Sequence, residues 1–399
     1  MIDTPVSNRL HIGIFGRRNA GKSSLINALT GQQTAIVDST PGTTTDPVGK
    51  TIEIPGIGPV YIYDTAGIDD SGELGGKRVE RTKEVIHKIN IAVVVTDYEV
   101  FDTLEESLID ELRKKTEAVV VVFNKSDIKP RLEEKEKALK SRDIKHISSS
   151  CTLMSGIDEI KKALIEESKK ITVENPTIVG DIIKPGTYVV LVVPIDLGAP
   201  KGRLILPQVQ VIRDILDNDA YPLVVKEREL AACLAGLKDK PSLVICDSQV
   251  VLKASADTDP SIPLTTFSIL FSRLKGDLKA FVESVKAIDE LKDGDKILIM
   301  EACTHHSTAD DIGRVKIPRW IRQYTGKNLE FETNAGPFVS KDLSKYSLII
   351  SCGACMINRK EMLSRAEAGK QLDIPVTNYG IAISYVQGVL PRVVKVFGL

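Results

Sequence analysis

The chain has 399 residues, 42% hydrophobic and 27% charged, and its 53 basic and 54 acidic side chains leave a formal net charge of −1. That length exceeds one ordinary core, so two or three domains are expected, with the composition of a soluble globular protein. The balanced charge excludes a global field that would drive binding to nucleic acid or to an anionic membrane. The first residues lack the charged region and apolar run of a secretion signal, and no stretch approaches the ~20 apolar residues of a membrane span. Six cysteines scattered through so long a chain do not make a disulfide framework, so reduced thiols and a cytoplasmic location are expected.

In chain order, residues 10–170 alternate short apolar runs with helical patterns. Leu10–Phe15, Val60–Asp64, Ile91–Thr96, Ala118–Phe123 and Ile144–Ser148 read as strands, with helices opening near Gly21, Gly76, Leu104, Pro130 and Ser155. Near-continuous Val/Ile strands separated by helices imply a mostly parallel sheet covered on both faces. The segment Ile171–Gly186, with Pro176, Gly180 and Pro185, breaks that rhythm and reads as a linker.

A second α/β unit follows, with strand Tyr188–Ile195, helix Val209–Leu216, strand Pro222–Val225, helix Glu227–Leu237 and strand Leu243–Cys246. It carries no phosphate loop or catalytic cluster, which suits self-association as well as it suits a passive spacer. Ala256–Leu264, with Pro260 and Pro263, marks a second boundary. The third unit opens with helices Thr265–Leu274 and Asp277–Leu291 and continues through strands Lys296–Glu301, Leu348–Ser351 and Pro375–Asn378. Helices opening near Pro318, Asn358 and Gly380 intervene or follow.

The most specific motif is Gly16-Arg17-Arg18-Asn19-Ala20-Gly21-Lys22-Ser23, which matches G-x-x-x-x-G-K-[ST] between a strand and a helix. Its glycines let the backbone from Gly16 through Ser24, Ala20 included, close around phosphates. Lys22 neutralises β/γ charge and the Ser23 hydroxyl binds Mg²⁺. Asp64-Thr65-Ala66-Gly67, at a strand end, supplies a carboxylate on the Mg²⁺ side and the Gly67 amide for a γ-phosphate. Thr44, in the intervening Gly42–Asp46 loop, would complete the Mg²⁺ shell. Asn124-Lys125-Ser126-Asp127 offers a carboxylate that accepts both the N1–H and the exocyclic amine of guanine, a pair that adenine cannot make. Ser150-Cys151 would offer a backbone amide to the guanine oxygen. The nucleotide is therefore expected to be GTP or its product GDP.

Over roughly the first 170 residues these motifs resemble the TrmE–Era branch of the GTPase superfamily. Two positions depart from Ras-type relatives. Ile68 follows Gly67 where Ras-like proteins hold the glutamine that orients water, so slow intrinsic hydrolysis is expected. Asn19 is the P-loop residue that, in potassium-activated members, helps hold K⁺ beside the phosphates. The fold class expected is α/β: a P-loop GTPase domain with a mostly parallel sheet at residues 1–172, followed by two smaller α/β domains at 173–260 and 261–399.

The late part of the chain carries Cys303-x-His305 and Cys352-x-x-Cys355, each just beyond a strand. Thiolates gathered in this way need a compensating cation, and the helix after Cys355 favours their charge. If the two strands are parallel, the ligands meet at the carboxyl edge of a sheet. Spacing alone leaves two metals open: zinc on Cys303, His305, Cys352 and Cys355, or an iron–sulfur cluster. Arg314, Lys316, Arg319 and Arg322 form a local basic stretch that fits either a solvated face or a docking site for an anionic partner.

The whole chain resembles the HydF family of GTPases that mature FeFe-hydrogenase. The resemblance is carried by Glu301-Ala302-Cys303-Thr304-His305-His306, Asp311–Trp320, Ser351-Cys352-Gly353-Ala354-Cys355-Met356 and Thr377-Asn378-Tyr379-Gly380. Many members carry histidine immediately before the Cys-x-x-Cys, whereas here that position is Ser351, which receives no ligand role. The resemblance implies a 4Fe–4S cluster on Cys303, Cys352 and Cys355, and it decides for iron over zinc. One iron is then left open to water, His305, His306 or an incoming ligand. It further implies a homodimer formed by the middle domain and a role as scaffold or carrier of the hydrogenase's diiron precursor. Radical-SAM maturases and apo FeFe-hydrogenase would be the partners. The rival is a TrmE–Era-type regulatory GTPase acting on RNA or ribosomes with a structural zinc site. Against it stand the absence of a recognisable RNA-binding module, of a basic tail and of net positive charge, so neither a nucleic-acid nor a membrane partner is expected.

Overall fold

A computed structural model describes residues 5–30, 49–65, 67–68, 84–129, 131–171, 177–194, 204–302, 311–335 and 342–399. Thr44, Ala66, Cys303, His305, His306 and the helix expected near Gly76 lie outside the described residues. The chain divides into two compact units, Met1–Glu174 and Asn175–Leu399.

The first unit is built on strands β1 (Leu10–Phe15), β2 (Gly49–Ile54), β3 (Gly58–Asp64), β4 (Ile91–Thr96), β5 (Ala118–Phe123) and β6 (Lys145–Ser148), ordered β2-β3-β1-β4-β5-β6. All neighbours are parallel except β2, which pairs antiparallel with β3. Every residue of β4 is buried, which is why Ile-Ala-Val-Val-Val-Thr carries no polar alternation. Alternate faces of the strands enter two separate cores. Ile12, Ile14, Val93 and Val95 face one, while Phe15, Ala92, Val94 and Phe123 face the other. Parallel pairing sends the residues after β1, β3, β5 and β6 to one edge, where open α/β sheets place their ligands. The β2 strand is not legible from hydrophobic runs because it is an edge strand with only Ile52 and Ile54 buried.

The second unit contains two further sheets, both fully parallel. Strands β7 (Tyr188–Val192), β8 (Tyr221–Val225), β9 (Leu243–Cys246) and β10 (Leu264–Thr266) are ordered β10-β9-β7-β8. Strands β11 (Lys296–Glu301), β12 (Glu330–Ala335), β13 (Leu348–Ser351) and β14 (Val376–Asn378) are ordered β12-β11-β13-β14. One contiguous core joins Val190, Val192, Val244 and Leu264 of the former to Ile297, Ile299, Leu348 and Ile350 of the latter. The helix Phe267–Lys275 lies at this join. Phe267, Leu270 and Phe271 pack with Val189, Leu191 and Ile245, whereas Ile269 enters the larger shared core. Among the described residues, no helix is long and apolar enough to cross a membrane.

Candidate functional sites

The phosphate loop leaves the end of β1 and enters helix Lys22–Thr30. Gly16 and Gly21 adopt φ of 144° and 99°, and a Cβ on either would collide with Val95 O or Asn124 Nδ2. Only glycine fits both positions. Asn19 also adopts a left-handed φ of 59°, which asparagine tolerates better than most residues. Lys22 Nζ donates to the carbonyl oxygens of Gly16 (3.1 Å) and Arg17 (2.8 Å), so the ammonium is held inside the loop. Ser23 Oγ donates to Asp64 Oδ2 at 2.9 Å, bringing the two expected Mg²⁺-side groups, one at the start of the helix and one at the end of β3, into contact. The Ile68 amide donates to Gly16 O at 3.3 Å, which places the segment after Gly67 against the loop.

The residues expected to read the base converge at the same edge. Asn124, only 3% exposed, donates from Nδ2 to Ala20 O at 3.1 Å and accepts the Cys151 amide on Oδ1 at 3.2 Å. It thus ties the phosphate loop to the Ser150-Cys151 segment, a linking role that the sequence does not disclose. Lys125, at a φ of 60°, has Nζ 3.7 Å from Asp97 Oδ2. Ser126 donates to Ser149 O at 3.0 Å, and Ser150 Oγ accepts the Leu153 amide at 3.2 Å. Burial, and then the negative field of Asp127, push the Cys151 thiol above its ordinary value. Asp127 and Cys151 therefore share one locality, as a guanine pocket requires.

Sequence reasoning missed the brace behind the loop. Arg17 donates from Nε to Glu105 Oε1 at 2.7 Å and from Nη2 to Asp102 Oδ1 at 2.6 Å. Asp102 caps helix Thr103–Lys115 and Glu105 returns the capping-box bond to the Asp102 amide at 3.1 Å. The Glu105 bonds, then those to Asp102, hold the Arg17 guanidinium well above its ordinary range. The signal was present as Asp102-x-x-Glu105 ahead of an apolar run, a helix start with a charged partner elsewhere.

In the second unit, β11 and β13 are parallel neighbours, with Met300 opposite Ser351, so their ends lie side by side as the metal reading requires. Cys352 and Cys355 are described and Cys303 is not, so the triad is not assembled. Among the described residues, no group of three or more histidine, cysteine or acidic side chains could hold a metal. Several groups around the two thiols nevertheless favour anionic sulfur, although burial outweighs them. The amides of Ala302 (3.2 Å) and Ala354 are directed at Cys352 Sγ, and those of Cys355 and Met356 at Cys355 Sγ. Burial pushes both thiols up, opposed at Cys352 by these amides and Arg365, and at Cys355 by Lys275 and the amides. Lys275 is 2% exposed, and burial pulls its ammonium down to about 8 against the raising fields of Cys355 and Cys352. The Tyr379 hydroxyl is buried, has no hydrogen-bond partner among the described residues and lies in the fields of Cys352 and Glu301. Peptide amides on sulfur, cations behind it and an orphaned hydroxyl beside it fit a thiolate-bound metal group.

The other expectations resolve simply. Ser351 is 1% exposed and donates to Met362 Sδ at 3.7 Å, so it faces the core. Three members of the basic stretch are occupied structurally. Arg314 pairs with the buried Glu301 at 2.8 Å, Lys316 donates to Gln249 at 2.7 Å, and Arg322 donates to Leu329 O while stacking on Phe331. Arg319, the fourth, is exposed.

Comparison with known proteins accounts for both units. Residues 11–125 match the family described as 50S ribosome-binding GTPase, residues 178–276 the hydrogen maturase F dimerization domain and residues 279–396 the hydrogen maturase F tetramerization domain. Among curated relatives, the chain is 34% identical to GTPase Der of Kosmotoga olearia over 43% of its length and 41% of the relative's. It is 35% identical to tRNA modification GTPase MnmE of Bacillus pumilus over 38% of its length and 33% of the relative's. The chain thus spans less than half of each of these relatives. Among solved structures, the G domain of the T. maritima FeoB iron transporter is 21% identical and covers 40% of this chain and 99% of that one, with a TM-score of 0.33. The first match makes the amino-terminal unit a P-loop GTPase domain, and the two hydrogen maturase F matches together span more than half of the chain: it belongs to the hydrogen maturase F family.

Proposed function

We propose that the chain is a GTP-hydrolysing maturation factor for FeFe-hydrogenase that holds a 4Fe–4S cluster and carries the diiron precursor to the apo-hydrogenase. In the first unit, backbone amides of Gly16, Asn19, Ala20, Gly21 and Ser24 with the Lys22 ammonium bind the phosphates. Ser23, Thr44 and Asp64 serve Mg²⁺, and the Gly67 amide meets the γ-phosphate. Asp127 reads guanine, aided by Asn124, Lys125 and the Ser150-Cys151 backbone. Ile68 cannot orient water; Asn19 would help hold a K⁺ beside the phosphates, whose charge would serve the transition state, and slow turnover would suit a switch.

In the second unit, Cys303, Cys352 and Cys355 would hold the cluster, with His305 a candidate for the remaining iron. Three cysteines leave one iron with an exchangeable position, the chemistry that storage and transfer need. The chain's own residues orient the sulfurs, screen their charge and limit access of water. The dimerization and tetramerization families point to oligomeric assembly, and the segment 178–276 would form the homodimer. Radical-SAM maturases would supply the precursor in the cytoplasm. The observation that carries the cluster assignment is the Cys352–Cys355 turn, whose amides are directed at both sulfurs.

Two variants separate switch from carrier. Lys22→Ala should lose GTP hydrolysis yet assemble a brown cluster anaerobically, because the thiolates need no nucleotide to coordinate iron. Cys352→Ser should hydrolyse GTP and lose iron and sulfide, since a serine hydroxyl is a poor soft-metal ligand. Both should fail to activate apo-hydrogenase in a complete maturation assay. Full activation by a cysteine variant without a cluster would refute the carrier role, and a colourless, zinc-loaded wild type would refute the cluster.

A further inference from the structure

Lys275 ends the helix Phe267–Lys275, and its side chain is a charged group almost completely removed from water. Such a group persists only when it is paired or fully hydrogen-bonded. Its ammonium donates to three carbonyl oxygens, those of Ala354 (2.9 Å), Cys355 (3.2 Å) and Ile357 (2.9 Å). An ammonium has three protons, so its donor capacity is used entirely by the cysteine turn. Ala354, inside that turn, adopts a left-handed φ of 54°, a conformation an alanine does not choose unaided. The carbonyls of the turn thus converge on Lys275, while its amides are the groups directed at Cys352 Sγ and Cys355 Sγ.

A second cation crosses the same join in the opposite direction. Arg359, which opens the helix following the cysteine turn, donates from Nη1 to Leu274 O (2.9 Å) and Gly276 O (3.3 Å). These are carbonyls at the end of the helix that bears Lys275. Lys275 lies in the segment matched by the dimerization family and Cys352–Cys355 in that matched by the tetramerization family. The dimerization segment therefore sets the conformation of a turn that belongs to its neighbour.

We propose that Lys275 is a positioning residue for the metal cluster: its ammonium holds the carbonyls of Ala354, Cys355 and Ile357 inward, so that the amides face the sulfurs, and keeps a positive charge behind them. The inference rests on the cluster assignment above. Amides and a cation near the sulfurs stabilise the reduced, more negative form of a cluster more than the oxidised form, which raises its reduction potential. They also hold the ligands in place, so their loss should weaken iron retention by about 10- to 100-fold, the usual effect of removing a group that orients metal ligands.

The test uses the full chain, reconstituted anaerobically, as wild type, Lys275→Met and Lys275→Arg. Lys275→Met keeps the length of the stem and removes the charge and all three donors. Its cluster should show a more negative midpoint in an electron-paramagnetic-resonance titration and faster iron loss to a chelator. Lys275→Arg retains charge, but a planar fork cannot serve three converging carbonyls. Its midpoint should stay near that of the wild type while iron loss accelerates. Should Lys275→Met fail to fold, as judged by circular dichroism and oligomer size, Lys275→Arg decides alone: faster iron loss at a wild-type midpoint supports positioning, and unchanged iron loss overturns it. A brown wild type whose Lys275→Met variant has the same midpoint and the same iron loss also overturns the inference. A wild type that takes up no iron removes the cluster assignment instead, and the inference with it.

Discussion

Glu105→Gln tests whether the phosphate loop is braced from behind. The Glu105 side chain is fully buried and accepts three bonds: Arg17 Nε at 2.7 Å, Arg17 Nη2 at 3.1 Å and the Asp102 amide at 3.1 Å. Glutamine has nearly the same shape but one oxygen fewer and no charge. Whichever way its amide turns, an NH₂ group faces an N–H donor. A charge-assisted hydrogen bond is worth about 1.5–3 kcal/mol, and breaking a buried ion pair about 3–5 kcal/mol. Since one or two of the three bonds to oxygen survive, a local cost of about 3 kcal/mol is expected, where those ranges meet. In hydrogen exchange of the full chain, that corresponds to roughly 100-fold faster opening of amides near Arg17 and in helix Thr103–Lys115. A loosened loop should also raise the KM for GTP. Refutation would be wild-type exchange at both places together with an unchanged KM, for Arg17 would then hold its position without Glu105.

Three further outcomes follow from named groups. Asp127→Asn should shift preference from GTP toward xanthosine triphosphate, because an amide can pair with the extra oxygen of that base; equal turnover of ATP and GTP by the native chain would discard Asp127 as the guanine reader. GTP turnover should be faster in potassium than in sodium at equal ionic strength, and identical rates would remove Asn19 from the mechanism. Asp259 is held down at about 2, from 3.8, by its side-chain and backbone bonds to Ser261. Its depressed folded value means that its stabilisation is present above about pH 4 and lost as pH falls toward 2. The stability gap between wild type and Asp259→Asn should therefore close across that window, and a gap that does not change with pH would contradict the assignment.

Much of the scaffold was legible because its signal is burial repeated residue by residue. The runs Leu10–Phe15, Ile91–Thr96, Ala118–Phe123, Leu243–Cys246, Lys296–Glu301 and Leu348–Ser351 have the same bounds in sequence and structure. Each lies inside a parallel sheet, where both faces are covered. Strands that escaped notice lack that signal. In Glu330–Ala335 no residue is fully buried, because the strand lies at the edge of its sheet. Leu264–Thr266 is buried throughout but offers only Leu-Thr-Thr, too short to register. Because it pairs with β9, it carries the second sheet past the Pro260–Pro263 stretch that looked like a boundary.

The two sites differ in legibility for a related reason. The phosphate loop is read from consecutive residues because its chemistry is local: two glycines at forced dihedrals, one ammonium and one hydroxyl within eight positions. The cysteine turn displays its two candidate ligands, Cys352 and Cys355, in the same way, but not the environment that opposes the burial of their charge. Most of that environment is peptide N–H from Ala302, Ala354, Cys355 and Met356, and a peptide group has no side-chain identity for a sequence to display. The cation behind it comes from Lys275, on a helix distant in sequence whose apolar residues pack as ordinary core. A lysine at a helix end normally reads as a solvated partner for the helix dipole. Only the three carbonyls that receive its protons reveal that this one faces inward. The candidate ligands are thus written locally, while the amides and the cation that oppose the cost of burying charged sulfur are assembled by folding.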